Sequence, residues 1–252
     1  MIDDPLVLSR TIGGVLVLAA ISAAVLWWFR VPHRFAPVGA IARGAAQLAF
    51  VSLVLQGVIT DARWVAVVLA VMFGVAWWTA CGRIGDRAQV GATVAVAMAI
   101  GVVVAAGTVF ATGAVEATPR YVLALGGIVI GNTMTVASLA GRRFQEIVDD
   151  HWTEVEGWLA LGATIRQATV GPARLAVHAA MIPSTDQTRT TGLVTLPGAF
   201  VGAIFGGLSP LEAGRFQVVV LAAIMATASI TAVLVALGSG RSLRLRPAVS
   251  EQ

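Results

Sequence analysis

The 27 residues from Ala88 to Ala114 read AQVGATVAVAMAIGVVVAAGTVFATGA and contain no charged side chain. A bilayer's hydrocarbon core takes about 20 apolar residues of helix, within a range of about 17 to 25. Working outward, six further runs have the same character: Leu6–Phe29, Gly44–Thr60, Trp64–Cys81, Tyr121–Ala140, Gly192–Leu208 and Phe216–Gly238. Most are rich in Val, Ala, Leu and Ile, and none alternates as a barrel strand would. Lipid offers the backbone no hydrogen-bond partner, so each run is expected to be helical. The expected fold class is an all-α integral membrane protein of about seven transmembrane helices, forming a single domain over residues 1–252.

Composition agrees. Of 252 residues, 58% are hydrophobic and 12% charged, and the mean hydropathy is +0.86. A soluble domain carries about a quarter charged residues. All 17 basic residues are arginine, and no lysine occurs. Without the Gly-Lys-Ser/Thr step the chain cannot hydrolyse ATP through a P-loop, and lysine nucleophiles and Schiff bases are excluded too. The net charge of +4 and pI near 10.9 would suit nucleic acid. The arginines, however, sit in short clusters between apolar runs, without a basic patch interleaved with aromatics. The expected partner is the lipid bilayer and not nucleic acid. Cys81 alone allows neither an internal disulfide nor a cysteine metal cage. His33, His151 and His178 are too far apart for a ligand motif. No metal site and no cofactor are expected.

Orientation follows from arginine in the connections. The first run follows Asp3 and Asp4 and is too long for a signal-peptide core, so it reads as a retained helix with its N-terminus outside. On that basis Arg30, Arg34, Arg43, Arg83, Arg87, Arg142, Arg143, Arg166, Arg174, Arg189, Arg241, Arg244 and Arg246 lie inside. Arg10, Arg63, Arg120 and Arg215 lie outside. An arginine at the centre of a membrane helix costs about 2.5–3.5 kcal/mol on insertion scales, so a 13-to-4 division is informative. Gly192–Leu208 is short and contains Pro197-Gly198, so it either spans or re-enters. Re-entry would strand Arg241, Arg244 and Arg246 outside, which favours a span. The expectation is a multi-pass protein of the cell (plasma or inner) membrane, N-terminus outside and C-terminus cytoplasmic.

Residues 141–191 form the longest polar stretch and hold six of the 13 acidic residues: Glu146, Asp149, Asp150, Glu154, Glu156 and Asp186. Phe144, Ile147, Val148, Trp152, Val155, Trp158, Leu159 and Leu161 recur at spacings of three and four, which predicts one amphipathic helix. Gly162 suits its C-terminal cap and Thr164 the N-cap of a second helix, from Ile165 to about Met181, ending before Pro183. A cytosolic helical hairpin between the fifth and sixth spans is expected. It either covers the inner face of the bundle or docks a cytosolic partner, for which exposed acids and tryptophans suit a groove.

Several motifs carry a resemblance. Gly131-Asn132-Thr133-Met134 is similar to a Gly-Asn-x-Met element, and Glu156–Thr164 (EGWLALGAT) to a Glu-x-x-Leu-x-Leu-Gly-Ala-Thr run. With these stand Ile182-Pro183, Gly192-Leu-Val-Thr-Leu-Pro-Gly198, Gly206-Gly207-x-Ser-Pro210, Gln217, and Arg43 with Gln47. Together, from Arg43 to Val235, they resemble the FetB-like ABC-transporter permeases, which include bacterial iron-export and plant aluminium-tolerance proteins. Ile165 departs from the proline that relatives often carry after Gly-Ala-Thr. The resemblance implies the membrane permease subunit of an ATP-driven ABC transporter, an exporter, with a metal such as iron as cargo. It further implies a homodimer working with separate cytosolic ABC ATPase subunits, so that the chain itself is not an enzyme. Glu156, Leu159, Leu161, Gly162, Ala163 and Thr164 would form the ATPase-coupling segment, whose movement is transmitted to the spans.

Gln47, Asn132, Met134, Pro197 and Gly198 are the candidates for the translocation path. Asn132 and Gln47, like Gln56, equally suit a polar helix–helix contact, Met134 ordinary packing, and Pro197-Gly198 either a kink or an unwound helix freeing carbonyls toward a cavity. No Asp, Glu or His lies deep in any assigned span. Two other classes stay open. An intramembrane hydrolase would use Ser22, Ser52, Ser138 or Ser229 as nucleophile, but no His or Asp is placed to activate one. A channel or scaffold without ATP coupling is opposed only by the Glu156–Thr164 resemblance.

Overall fold

The computed structural model describes residues 5–58, 61–85 and 87–240. Asp3, Asp4, Thr60, Arg241, Arg244 and Arg246 lie outside the described residues, as does the side chain of Gln56. The elements are α1 (Pro5–Trp28), α2 (Ala36–Val58), α3 (Ala62–Ile84), α4 (Arg87–Ala111), α5 (Pro119–Asp150), α6 (Trp152–Ala160), α7 (Ile165–Ala168), α8 (Val170–Thr190), α9 (Gly198–Phe205) and α10 (Pro210–Ser239). No strand occurs among the described residues, so the all-α reading holds. Six helices are long and apolar enough to cross a bilayer: α1, α2, α3, α4, α5 and α10.

The chain divides into two compact units. In the first, α1 and α2 pair through a loop in which Arg30 and His33 take left-handed backbone angles, φ 54° and 55°. Ala19 is buried in it, while large side chains such as Leu16, Leu18 and Leu48 are exposed. Helices apolar on every side are at home in hydrocarbon.

In the second unit α5 and α10 pack together, with α3 and α4 completing the bundle. Its core is built largely from small residues, including Ala76, Ala80, Ala97, Ala137, Ala140, Ala228 and Ala232, around Met98, Val94 and Val136. Lipid tails are as apolar as leucine, so helices in a membrane gain by close backbone approach rather than by burying oil. Gly141 illustrates this, since a Cβ there would stand 2.7 Å from Ile84 Cδ1. At the start of α5 and α10, Tyr121 and Phe216 meet with ring centroids 5.3 Å apart. Arg120 and Arg215 mark that end. Arg83, Arg87, Arg142 and Arg143 mark the other, where the Arg87 guanidinium lies over Trp78, 4.0 Å from the ring centroid.

Three expectations change. Gly192–Leu208 forms no spanning helix. Gly192, at φ +91°, closes a turn in which its amide donates to the Thr195 carbonyl, and only α9 follows. Eight residues of helix are about 12 Å long, against a hydrocarbon core of about 30 Å. Next, the amphipathic stretch from Phe144 to Leu161 is not one helix: α5 runs on to Asp150, and α6 begins at Trp152, with His151 as the joint. Last, the second helix expected from Ile165 to about Met181 is divided at Thr169 into α7 and α8, and α8 does not stop before Pro183 but continues through it to Thr190. A proline inside a helix removes one donor, and neighbouring helices make that tolerable in a membrane bundle.

Candidate functional site

Two parts of the second unit carry the residues singled out by sequence. The first is the short-helix segment beyond the arginine-rich end of α5. Trp152 anchors α6 by packing on Phe144, Val148, Ala173 and Ala176, and Val155 is buried. The outer face is apolar and open: Trp158 is 50% and Leu161 83% exposed. Glu156 is exposed beside them and Leu159 half-buried. The exit from α6 is a Schellman cap. Gly162 sits at φ +87°, its amide donating to the Leu159 carbonyl, and the Ala163 amide donates to the Trp158 carbonyl. Thr164 then starts α7 with a capping box. The Gln167 amide donates to Thr164 Oγ1 at 3.3 Å, and the Thr164 amide to Gln167 Oε1 at 2.8 Å. Both caps read from sequence are present, and the box forms with Ile165 as the first residue of α7.

The same device recurs at Gly206–Pro210. Gly207, at φ +98°, closes a second Schellman cap, with the Leu208 amide donating to the Ala203 carbonyl. Ser209 and Glu212 form the box that opens α10. Four residues thus separate one helix from the next at each place, and the paired caps fix their local backbone. At the arginine-rich end α7 borders a cleft between α4 and α10. Ile165 and Arg166 line a cleft of about 510 Å³ with Thr93, Val96 and Leu237. A Cβ on Gly240 would lie 3.3 Å from Thr169 Oγ1 and 3.8 Å from Ile165 Cγ2.

The second part is α8, which sequence reading had kept apart from the bundle. It runs antiparallel to α5: Ala173 and Ala176 cluster with Phe144 and Val148, Ala180 with Val136, Ala137 and Ala140, and Ser184 meets Asn132. The Asn132 Nδ2 donates to Ser184 Oγ at 3.4 Å. Asn132 Oδ1 stays buried without a partner among the described residues, as do Gln217 Oε1 and Thr231 Oγ1. Gln217 is 6% exposed, deep within α10.

The path candidates are not all brought together. Asn132 and Met134 share α5, but Met134 packs on the apolar core cluster. Pro197 is the N-cap of α9 and Gly198 its first residue, so the pair begins a helix and does not kink one. Gln47 is an exposed residue of α2, in the other unit. Sequence reading missed Ser184 and the packing of α8, although Ala173, Ala176, Ala180 and Ser184, spaced three and four apart, are a small-residue face of the kind helices in membranes use. Of the serines of the hydrolase alternative, Ser52, Ser138 and Ser229 each donate to the carbonyl four residues back. Among the described residues no three His, Cys, Asp or Glu side chains converge on a possible metal position.

Fold and sites together define a multi-pass α-helical membrane protein with a structured polar segment between its fifth and last long helices. The chain belongs to UPF0014, described as an uncharacterised protein family, whose model matches residues 10–243. It is similar to the UPF0014 membrane protein STAR2 of Oryza sativa subsp. japonica, 36% identical over 197 residues, 77% of this chain and 69% of that one. With the UPF0014 membrane protein slr1647 of Synechocystis sp. it shares 32% identity over 235 residues, 89% of each chain. With the Escherichia coli protein named probable iron export permease protein FetB it shares 34% over 116 residues, 46% of this chain and 45% of that one. The resemblance to FetB-like permeases is thus borne out. No solved structure matches the chain.

Proposed function

We propose that this chain is the membrane permease subunit of an ATP-driven transporter, acting as a homodimer with separate cytosolic ATPase subunits and exporting a metal such as iron. The carrying observation is the α6–α7 segment. A nine-residue helix held by Trp152 presents Trp158 and Leu161 outward, and two consecutive caps fix its direction against the ends of α5, α4 and α10. An exposed apolar helix on a rigid mount is what a groove in a partner accepts. The lack of lysine means that any ATP hydrolysis comes from another chain. Glu156, Leu159, Leu161, Gly162, Ala163 and Thr164 are the coupling residues in this reading, with the arginine-rich end cytoplasmic. The export permease name of the Escherichia coli relative supports the direction and the cargo.

Seven crossings remain the best account of the topology, with α8 taking the place of Gly192–Leu208. Its 21 residues are about 31 Å long, enough for the hydrocarbon core. The order α1, α2, α3, α4, α5, α8, α10 leaves the N-terminus outside and the C-terminus inside. Arg189 then stands within the α8 span, and the remaining arginines divide 12 to 4, still positive inside. Asn132, with Ser184 beside it, is the path residue this packing favours.

Affinity purification of the tagged chain from membranes tests the proposal. A soluble P-loop ATPase is expected in the eluate, with ATP hydrolysis that falls on Glu156→Ala or on deletion of residues 161–164. Hydrolysis unchanged in both would remove the coupling role.

A further inference from the structure

The face of α8 turned away from α5 and α10 is charged. Its packed side is Ala173, Ala176, Ala180 and Ser184, all buried. Diametrically opposite on a helix of 3.6 residues per turn stand Arg174, His178, Ile182, Asp186 and Arg189, all exposed. Among the described residues the one ion pair on this face is Asp186 with Arg189 on the same helix, at 3.9 Å, with both side chains open to the outside.

The depth of this face is set by register. Ser184 touches Asn132, and Asp186 lies two residues further along, about 3 Å. Asp186 and Arg189 therefore run beside the apolar Leu123–Ile130 stretch of α5, where lipid would otherwise surround the bundle. Charged side chains at that depth do not face lipid. They face protein or a water-filled cavity, and they pair with one another.

We infer that this face meets the same face of a second copy across a two-fold axis. This rests on the homodimeric permease reading above and deepens it. Charge complementarity selects the partner. About a two-fold axis along the membrane normal two α8 helices run side by side in the same direction, and residue i faces residues near its own number. Asp186 of each copy then stands one turn from Arg189 of the other, which makes two reciprocal pairs from one sequence element. Ile182, one turn from Asp186 and about two from Arg189, sits near the axis, and His178 and Arg174 follow toward the arginine-rich end.

Cross-linking in native membranes tests the inference. In a Cys81→Ala background, Ile182→Cys or Leu175→Cys, both on this face, should shift under oxidation from the 26.0 kDa monomer to a band of twice that mass. Val103→Cys, an exposed position on α4, should stay at the monomer mass. A charge test stands beside it. Differently tagged chains carrying D186R and R189D should each lose self-association and recover it when co-expressed, because only the mixed pair is complementary. Absence of dimer from both cysteine positions, or equal loss of association in the mixed pair, would each overturn the inference. Failure of the transport reading is separable: dimers linked at Ile182→Cys without any associated ATPase would leave the interface standing and remove the ATP-driven permease.

Discussion

Gly157 and Gly162 are five residues apart in the same short segment, and the same substitution should act on them with opposite sign. Gly157 is an interior residue of α6 with open space where a Cβ would go. Gly157→Ala removes freedom from the unfolded chain and improves helix propensity, worth about 0.5–1 kcal/mol in favour of α6. Gly162 has equal space, but its φ of +87° is strained for any L side chain. Gly162→Ala costs about 1–2 kcal/mol in that conformation. If the cap yields instead, the Ala163–Trp158 and Gly162–Leu159 bonds go with it, and Leu161 leaves its position. A penalty of that size lowers the population of the docking geometry roughly 5–30-fold. The assay is ATP hydrolysis co-purifying with each variant, with thermal unfolding of the chain measured in parallel. Gly157→Ala should match or exceed the unsubstituted chain, and Gly162→Ala should lose most associated hydrolysis while the bundle unfolds at nearly the same temperature. Equal behaviour of the two variants would refute the claim that the cap aims the coupling residues.

Three further outcomes follow from the packing. Gly141→Leu must displace Ile84, so α3 and α5 separate, and thermal unfolding should fall by the equivalent of about 1–3 kcal/mol. In a double-mutant cycle on Asn132→Ala and Ser184→Ala, the coupling energy should be near the membrane average of about 0.6 kcal/mol, small beside the loss of transport in each single variant. Gln217→Leu removes a buried amide oxygen without a described partner, so thermal stability should rise by the equivalent of about 1–3 kcal/mol while transport falls. Thermal stability unmoved would mean that the buried amide oxygen of Gln217 carries no penalty.

The long apolar helices were plain from composition alone because a segment surrounded by lipid must be apolar on every side. The caps at Gly162 and Thr164 were equally plain, since they depend on a few adjacent residues. The reading failed where hydropathy averages over unlike faces. In α8 the small buried face of Ala173, Ala176, Ala180 and Ser184 is diluted by Arg174, His178, Asp186 and Arg189, so the helix looked soluble. Gly192–Leu208 misled in the other direction: it is apolar enough to span, but Gly192, Pro197 and Gly207 each take up a break or a cap. The contact between Asn132 and Ser184 joins residues 52 apart in sequence and was invisible until the direction of α8 was known.

The central claim is that this chain couples to a separate ATPase through α6–α7. Leu161, at 83% exposure, can be changed without disturbing the core. The decisive measurement is retention of a soluble ATPase by the tagged chain carrying Leu161→Asp, compared with the unsubstituted chain in the same membranes. The account predicts that the ATPase and its hydrolysis are retained by the unsubstituted chain and lost from the variant. Equal retention by both, or no ATPase retained by either, would contradict it.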